Sequence, residues 1–282
     1  MEILVAKSSG FCFGVKRAIN MAGKCASDEK KGDGIHTLGP IIHNPQVVKM
    51  LEESRVYAKN DLSEIGSGTV IIRSHGVTFE EYREAREKGL DIVDATCPFV
   101  KTAQELVSRL TEEGYQVIVA GEKDHPEVKG LMSYGDNKVR VVSGIAELVE
   151  MPRVSKLGIV AQTTLRMEKL EEIVSFCLHK ASELKVFNTI CNATSTRQTE
   201  SAALAREVDV MVVVGGKNSA NTRRLAEVCR AIRPETYHIE TASELCPEWF
   251  DGKRRAGVTS GASTPEWLIE AVVLRMKEIS SK

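Results

Sequence analysis

Short apolar runs rich in β-branched residues recur along the chain, alternating with longer stretches whose apolar residues fall at helical spacing. The runs are VIIRS at 70–74, VIVAG at 117–121, VRVVS at 139–143, LGIVA at 157–161 and VMVVVG at 210–215, and the amphipathic stretches include residues 101–113 and 167–182. Residues 1–7 read as one more short strand, with a charge on either side. The alternation predicts an α/β protein with mostly parallel sheets, because parallel neighbours need a crossover connection and a helix is the usual one. No low-complexity or linker-like run interrupts it, so the parts it defines are expected to pack against one another.

The ends of the runs carry more information than the runs. Several break at once into a polar, glycine-containing loop: LGPIIHN ending at Asn44, RSHGV at Val77, GEKDHPEVKG at Gly130, AQTTL at Leu165, GGKNSAN at Asn221 and TSGAST at Thr264. Open α/β sheets bind ligands beyond the carboxyl ends of their strands, so the six loops are expected to line one pocket. They carry His43, His75, His125, Glu127, Thr163, Thr164, Ser219, Asn221 and Ser263, all able to hydrogen-bond a ligand.

Composition narrows the class. At 282 residues and 31.0 kDa the chain is long enough for two domains or three small ones. Thirty-eight basic against 39 acidic residues give a net charge of −1 with no long basic run, which argues against nucleic acid or a membrane surface as partner. No apolar run approaches the ~20 residues of a membrane span. Seven cysteines at irregular spacing do not form a secreted disulfide framework and point to a reducing compartment, the cytoplasm.

Three of those cysteines divide the chain into similar parts. Cys12 and Cys97 are separated by 85 residues and Cys97 and Cys191 by 94. The spacing predicts three like α/β units: residues 13–96, residues 97–190, and residues 191–282 together with 1–12. Each of the three cysteines precedes a helical pattern, and Cys97 stands before Pro98 at the place of an N-cap. Backbone N–H groups and the helix dipole favour a thiolate there. A lone cysteine is otherwise a small buried hydrophobe. That suits Cys25, Cys177 and Cys229, which continue apolar faces, while Cys246 lies in a loop before proline with no role assigned. Zinc sites usually contain local pairs such as C-x-x-C, and none occurs here, whereas an iron-sulfur cluster accepts single, distant cysteines. Three thiolates leave one position open for chemistry.

His43, His75 and His125 each follow a strand-like run and a Gly- or Pro-marked loop, and are expected in equivalent positions. With Ser219, Asn221 and Ser263 they make a donor-rich, mostly neutral set suited to a phosphate or diphosphate without a P-loop. Glu127, two residues beyond His125, is the carboxylate of these loops with a proton partner beside it; it is either a proton donor or a solvated loop residue. Thr163 and Thr164 either continue a proton path or cap the following helix. No dinucleotide or flavin fingerprint occurs, so a redox centre would draw electrons from a separate carrier.

Taken in order, GFCFGVKRAI, LGPIIHN, RSHGV, DATCPFV, HPEVKG, QTTL, NTICNAT, KNSAN and TSGASTP resemble the 4-hydroxy-3-methylbut-2-enyl diphosphate reductase family, from residue 3 to about residue 270. The resemblance implies a trefoil of three α/β units around a 4Fe-4S cluster held by Cys12, Cys97 and Cys191, with one open iron. It implies that His43, His75 and His125 hold a diphosphate, with hydrogen bonds from Ser219, Asn221 and Ser263. Glu127 would donate a proton with Thr163 as helper, and Thr194 would lie close by. The implied reaction is the last step of the methylerythritol phosphate route, yielding isopentenyl and dimethylallyl diphosphates, with ferredoxin or flavodoxin as electron carrier. Where the family commonly has a second serine, this chain has Ala220. Two other classes fit parts of the pattern: a non-catalytic iron-sulfur sensor, and a zinc hydrolase of a phosphorylated substrate.

Overall fold

The structure, a computed structural model, describes residues 1–28 and 34–281. β1 (Glu2–Val5) leads to α1 (Phe13–Ser27), followed by β2 (Ile35–Leu38), α2 (Pro45–Glu53), β3 (Val56–Lys59), β4 (Thr69–Ile72), α3 (Phe79–Glu87) and β5 (Asp91–Asp94). Next come α4 (Pro98–Glu112), β6 (Gln116–Ala120), α5 (Pro126–Ser133), β7 (Val139–Val142), β8 (Val154–Ala161), α6 (Met167–Cys177) and β9 (Ala181–Phe187). The chain continues through α7 (Asn192–Glu207), β10 (Val210–Val214), α8 (Ala220–Ile232), β11 (Thr236–Ile239), β12 (Arg255–Ser260) and α9 (Glu266–Ser280).

Among the described residues the strands form three sheets of four, ordered β3-β2-β4-β5, β7-β6-β8-β9 and β11-β10-β12-β1. Every pairing is parallel, and the order is the same in each sheet. The expectation of three α/β units with parallel sheets is therefore met, and more uniformly than "mostly parallel" implied. The two central strands of each sheet end in register: Leu38 beside Ile72, Ala120 beside Ala161, and Val214 beside Ser260. Two polar loops consequently leave each sheet side by side at its carboxyl edge.

Parallel sheets persist when both faces are covered, and the strand side chains divide accordingly. Ile118, Ala120, Leu157, Ile159 and Ala161 pack against Leu170, Ile173 and Cys177 of α6. The opposite face, Val117, Val119 and Val160, meets Ala103, Val107 and Leu110 of α4 and Val128 and Leu131 of α5. In the sheet containing β10, Val210, Val212 and Val214 face Ile269, Val272 and Met276 of α9, while Met211 and Val213 face Leu225, Ala226 and Cys229 of α8.

By their contacts the described residues fall into two compact units, Met1–Lys16 with His43–Val47 and Asn192–Lys282, and Arg17–Ile42 with Val48–Cys191. The first contains the sheet of β1, β10, β11 and β12. The second contains the other two sheets; among the contacts between them, the Ser133 hydroxyl of α5 accepts from the Phe79 N–H of α3 at 2.9 Å.

One expected element is shorter than its pattern. The stretch 167–182 is helical only to Cys177; the Lys180 N–H turns back to the Cys177 carbonyl at 2.9 Å, and Ala181 already begins β9. Among the described residues no helix is long and apolar enough to cross a membrane.

Candidate functional site

The three spaced cysteines occupy one structural position. Each follows the fourth strand of its sheet and precedes a helix: Cys12 lies between β1 and α1, Cys97 between β5 and α4, and Cys191 between β9 and α7. Each backbone N–H is pinned by a carbonyl from the loop after the neighbouring strand. Cys12 donates to Ala262 at 3.1 Å, Cys97 to Ser74 at 2.9 Å and Cys191 to Thr163 at 2.9 Å. Cys97 is the N-cap of α4 with Pro98 behind it, and the Cys12 sulfur accepts from the Val15 N–H at 3.5 Å. All three are half-buried, whereas Cys25, Cys177 and Cys229 are buried and Cys246 is exposed. Burial pushes the Cys177 thiol up and that of Cys229 up to about 12, so these two stay protonated and take part in the cores. Cys12, Cys97 and Cys191 are the soft-donor set a metal centre would use.

In the first compact unit, polar groups gather around His43. Its Nδ1 lies 3.0 Å from the Asn218 carbonyl oxygen, and its own carbonyl accepts from the Ser263 hydroxyl at 3.4 Å. A Cβ on Gly216 would fall 2.5 Å from that carbonyl, so the GGKNSAN loop reaches His43 only because this position is glycine. Ser219 caps α8, accepting from the Thr222 N–H at 3.3 Å, and Ala220 and Asn221 follow it in the first turn. Thr194 is buried in the first turn of α7. Helix starts, short hydroxyl side chains and an imidazole form a neutral donor set that favours an anion.

In the second unit, His75 and His125 meet edge to face with ring centroids 5.5 Å apart. His125 is the N-cap of α5, its Nδ1 accepting from the Glu127 N–H at 3.2 Å, with Pro126 as first helical residue. Glu127 is 1% exposed. Its two oxygens take both donors of one residue: the Thr163 N–H at 2.6 Å and the Thr163 hydroxyl at 2.8 Å. The reading of Glu127 as a solvated loop carboxylate therefore falls away. A buried carboxyl with a hydroxyl against one oxygen has the contact that a proton transfer between the two groups requires.

The histidines are not equivalent, contrary to expectation. His125 caps its helix, His43 precedes the cap position Asn44, and His75 lies in the loop after the third strand rather than the first. Several contributing groups were invisible in the sequence. The carbonyls of Ala262, Ser74, Thr163 and Asn218 act through the backbone, which leaves no residue signal. Gln162, whose side-chain oxygen accepts from the Glu122 N–H at 3.0 Å, was given no role in the sequence.

Residues 3–277 match the family model described as "LytB protein". A protein of Pelobacter propionicus named 4-hydroxy-3-methylbut-2-enyl diphosphate reductase is 57% identical over 282 residues, covering 100% of both chains. One of the same name from Geobacter sulfurreducens is 57% identical, covering 100% of this chain and 99% of its own. A solved structure described as (E)-4-hydroxy-3-methyl-but-2-enyl diphosphate reductase, the terminal enzyme of the non-mevalonate pathway, shares 48% identity at a TM-score of 0.73, covering 99% of this chain and 100% of that one. The structure of the E-1-hydroxy-2-methyl-but-2-enyl-4-diphosphate reductase from Plasmodium falciparum superposes at a TM-score of 0.92 with 28% identity, covering 97% and 87%.

Proposed function

The chain belongs to the LytB protein family, and we infer from this membership that it reduces 4-hydroxy-3-methylbut-2-enyl diphosphate to isopentenyl and dimethylallyl diphosphates. The observation that carries the reading is the 57% identity to reductases along the whole chain. The reaction breaks the bond between the allylic carbon and its hydroxyl. Two electrons and two protons enter; one proton leaves with the oxygen as water and the other ends on carbon.

Cys12, Cys97 and Cys191 would hold a 4Fe-4S cluster. The fit rests on the donor set itself: three half-buried thiols, each at a helix start and each pinned by the same type of backbone bond. When bound, the cluster supplies electrons one at a time and Lewis acidity at the iron that lacks a cysteine.

The rest of the work falls to the chain's own groups. The backbone N–H of Thr163 can only donate, so the Glu127 oxygen facing it accepts and the transferable proton sits on the other oxygen. The Thr163 hydroxyl, which donates to that oxygen while the carboxyl is ionised, would turn once the oxygen is protonated, accepting from Glu127 and handing its own proton on to the departing substrate hydroxyl. His43, His75 and His125 hold the diphosphate with Ser219, Asn221 and Ser263, and Thr194 stands near the substrate. Ala220 withholds one hydroxyl from that set. Electrons come from an external carrier such as ferredoxin or flavodoxin, and the enzyme works in the cytoplasm, where thiols and cluster stay reduced.

Anaerobic incubation of the iron- and sulfide-loaded protein with substrate and a low-potential reductant, followed by NMR of the products, tests the activity. Isopentenyl and dimethylallyl diphosphates are expected. Unchanged substrate beside an intact cluster would refute it.

A further inference from the structure

We propose that Arg17 and Arg197 are positioning residues for the cluster, each gripping the backbone just ahead of a cluster cysteine and placing a fixed positive charge there. The proposal rests on Cys12 and Cys97 being cluster ligands, as inferred above. Arg197 is 4% exposed and lies in α7, the helix that begins after Cys191. Its Nη2 donates to the Gly10 carbonyl at 2.5 Å, two residues before Cys12. Arg17 lies in α1, the helix that begins after Cys12, and donates from Nη1 to the Thr96 carbonyl at 3.0 Å and from Nη2 to the Asp94 carbonyl at 3.3 Å, just before Cys97. In both cases the helix following one cysteine holds the approach to another. The third approach is held without charge: the Thr189 hydroxyl donates to the Ala161 carbonyl and accepts from the Ala161 N–H.

The Cys12 approach shows what the grip does. Residues 7–10 are fixed chiefly by side chains. Glu200, one turn beyond Arg197, accepts from the Lys7 and Ser8 N–H groups at 2.6 and 2.8 Å, and the Ser260 hydroxyl accepts from the Gly10 N–H at 2.8 Å. Gly10 turns at φ +102°, where a side chain would be strained. Burying a guanidinium is costly, and a neutral donor would serve a carbonyl at less expense. The charge has a use, however. Two residues of chain span at most about 7 Å, so Arg197 stays close to Cys12, and a cluster gaining an electron becomes more negative. A nearby fixed cation favours that reduced state, one of the levers that set cluster potentials.

The test is a redox titration of the loaded protein, followed by the cluster's electron paramagnetic resonance, with iron and sulfide counted and melting temperature measured for each variant. Arg197→Lys should stay within about threefold of wild type in its reduced-to-oxidised ratio at fixed potential. Arg197→Gln and Arg17→Gln should lower that ratio about tenfold, which is ~59 mV for a one-electron couple. Glu200→Gln, which removes the opposite charge from the same loop, should move the potential upward and by less. Opposite signs at Arg197 and Glu200 would support the assignment, because a loss of structure alone moves both variants the same way. Wild-type potentials in both glutamine variants of arginine, or shifts of one sign throughout, would overturn it while leaving the reductase reading intact. A wild-type chain that takes up no iron and sulfide would overturn both.

Discussion

Glu127 and Thr163 are tied by two hydrogen bonds in the second compact unit, and the arrangement makes a sharp distinction between two substitutions. Thr163→Ser keeps the hydroxyl against the carboxyl and should retain most turnover; Thr163→Ala removes the hydroxyl of the proposed relay and should lose on the order of 10²-fold or more, the range of a general acid's contribution. Glu127→Gln should bind substrate and keep the cluster while losing a comparable factor, measured as kcat with unchanged iron content. At the proposed diphosphate site, Ala220→Ser adds a hydroxyl in the first turn of α8. It should tighten substrate binding by ~1 kcal/mol, roughly fivefold, visible as a lower KM at constant kcat. Among the thiols, iodoacetamide at pH 8 should label the exposed Cys246 and spare Cys229, whose burial holds it at about 12. Residue type and loop position singled out Glu127, Thr163 and Ala220 in the sequence. The bond from Thr163 to Glu127 was not legible there, since 36 residues separate them and only the folded sheet fixes their distance. Arg197 was missed for another reason: with Thr194, Ser201 and Ala205 it lies on the buried face of α7, which is polar and so shows no apolar periodicity.

At the level of elements, the β-branched runs announced the central strands because parallel strands covered on both faces are buried along their whole length and mostly apolar, as β4 and β10 are. Helix ends were harder. Apolar spacing continues from Val174 through Leu178 to Ala181, yet Leu178 is 61% exposed and the chain has already turned. The histidines misled in a similar way: each follows a strand, but periodicity does not say whether that strand is the first or third of its sheet. Glycine at 216 has its reason only in the fold, where the loop after β10 closes on the His43 carbonyl. Gly216→Ala should push that loop off His43, raising KM for substrate several-fold and costing about 1–3 kcal/mol of stability by overpacking. An unaltered KM together with an unaltered melting temperature would show that the loop yields freely.

For the molecule as a whole, the repeated property is a strand order rather than a sequence. Each sheet pairs its last strand beside its third, and a cysteine follows the last strand in all three. Strand order depends on pairings tens of residues apart, so no local pattern discloses it; only the near-equal cysteine spacing hinted at it. If the repeat exists to deliver three sulfurs to one cluster, alanine at Cys12, Cys97 or Cys191 should abolish iron and sulfide uptake, while alanine at Cys25, Cys177 or Cys229 should leave it intact at some cost in melting temperature. The most direct measurement is the anaerobic oxidation of reduced methyl viologen by the loaded protein, before and after addition of 4-hydroxy-3-methylbut-2-enyl diphosphate. Rapid oxidation that begins only with substrate, and that Glu127→Gln abolishes, is the predicted result. A full cluster that ignores the substrate would contradict the account and turn it towards an iron-sulfur sensor.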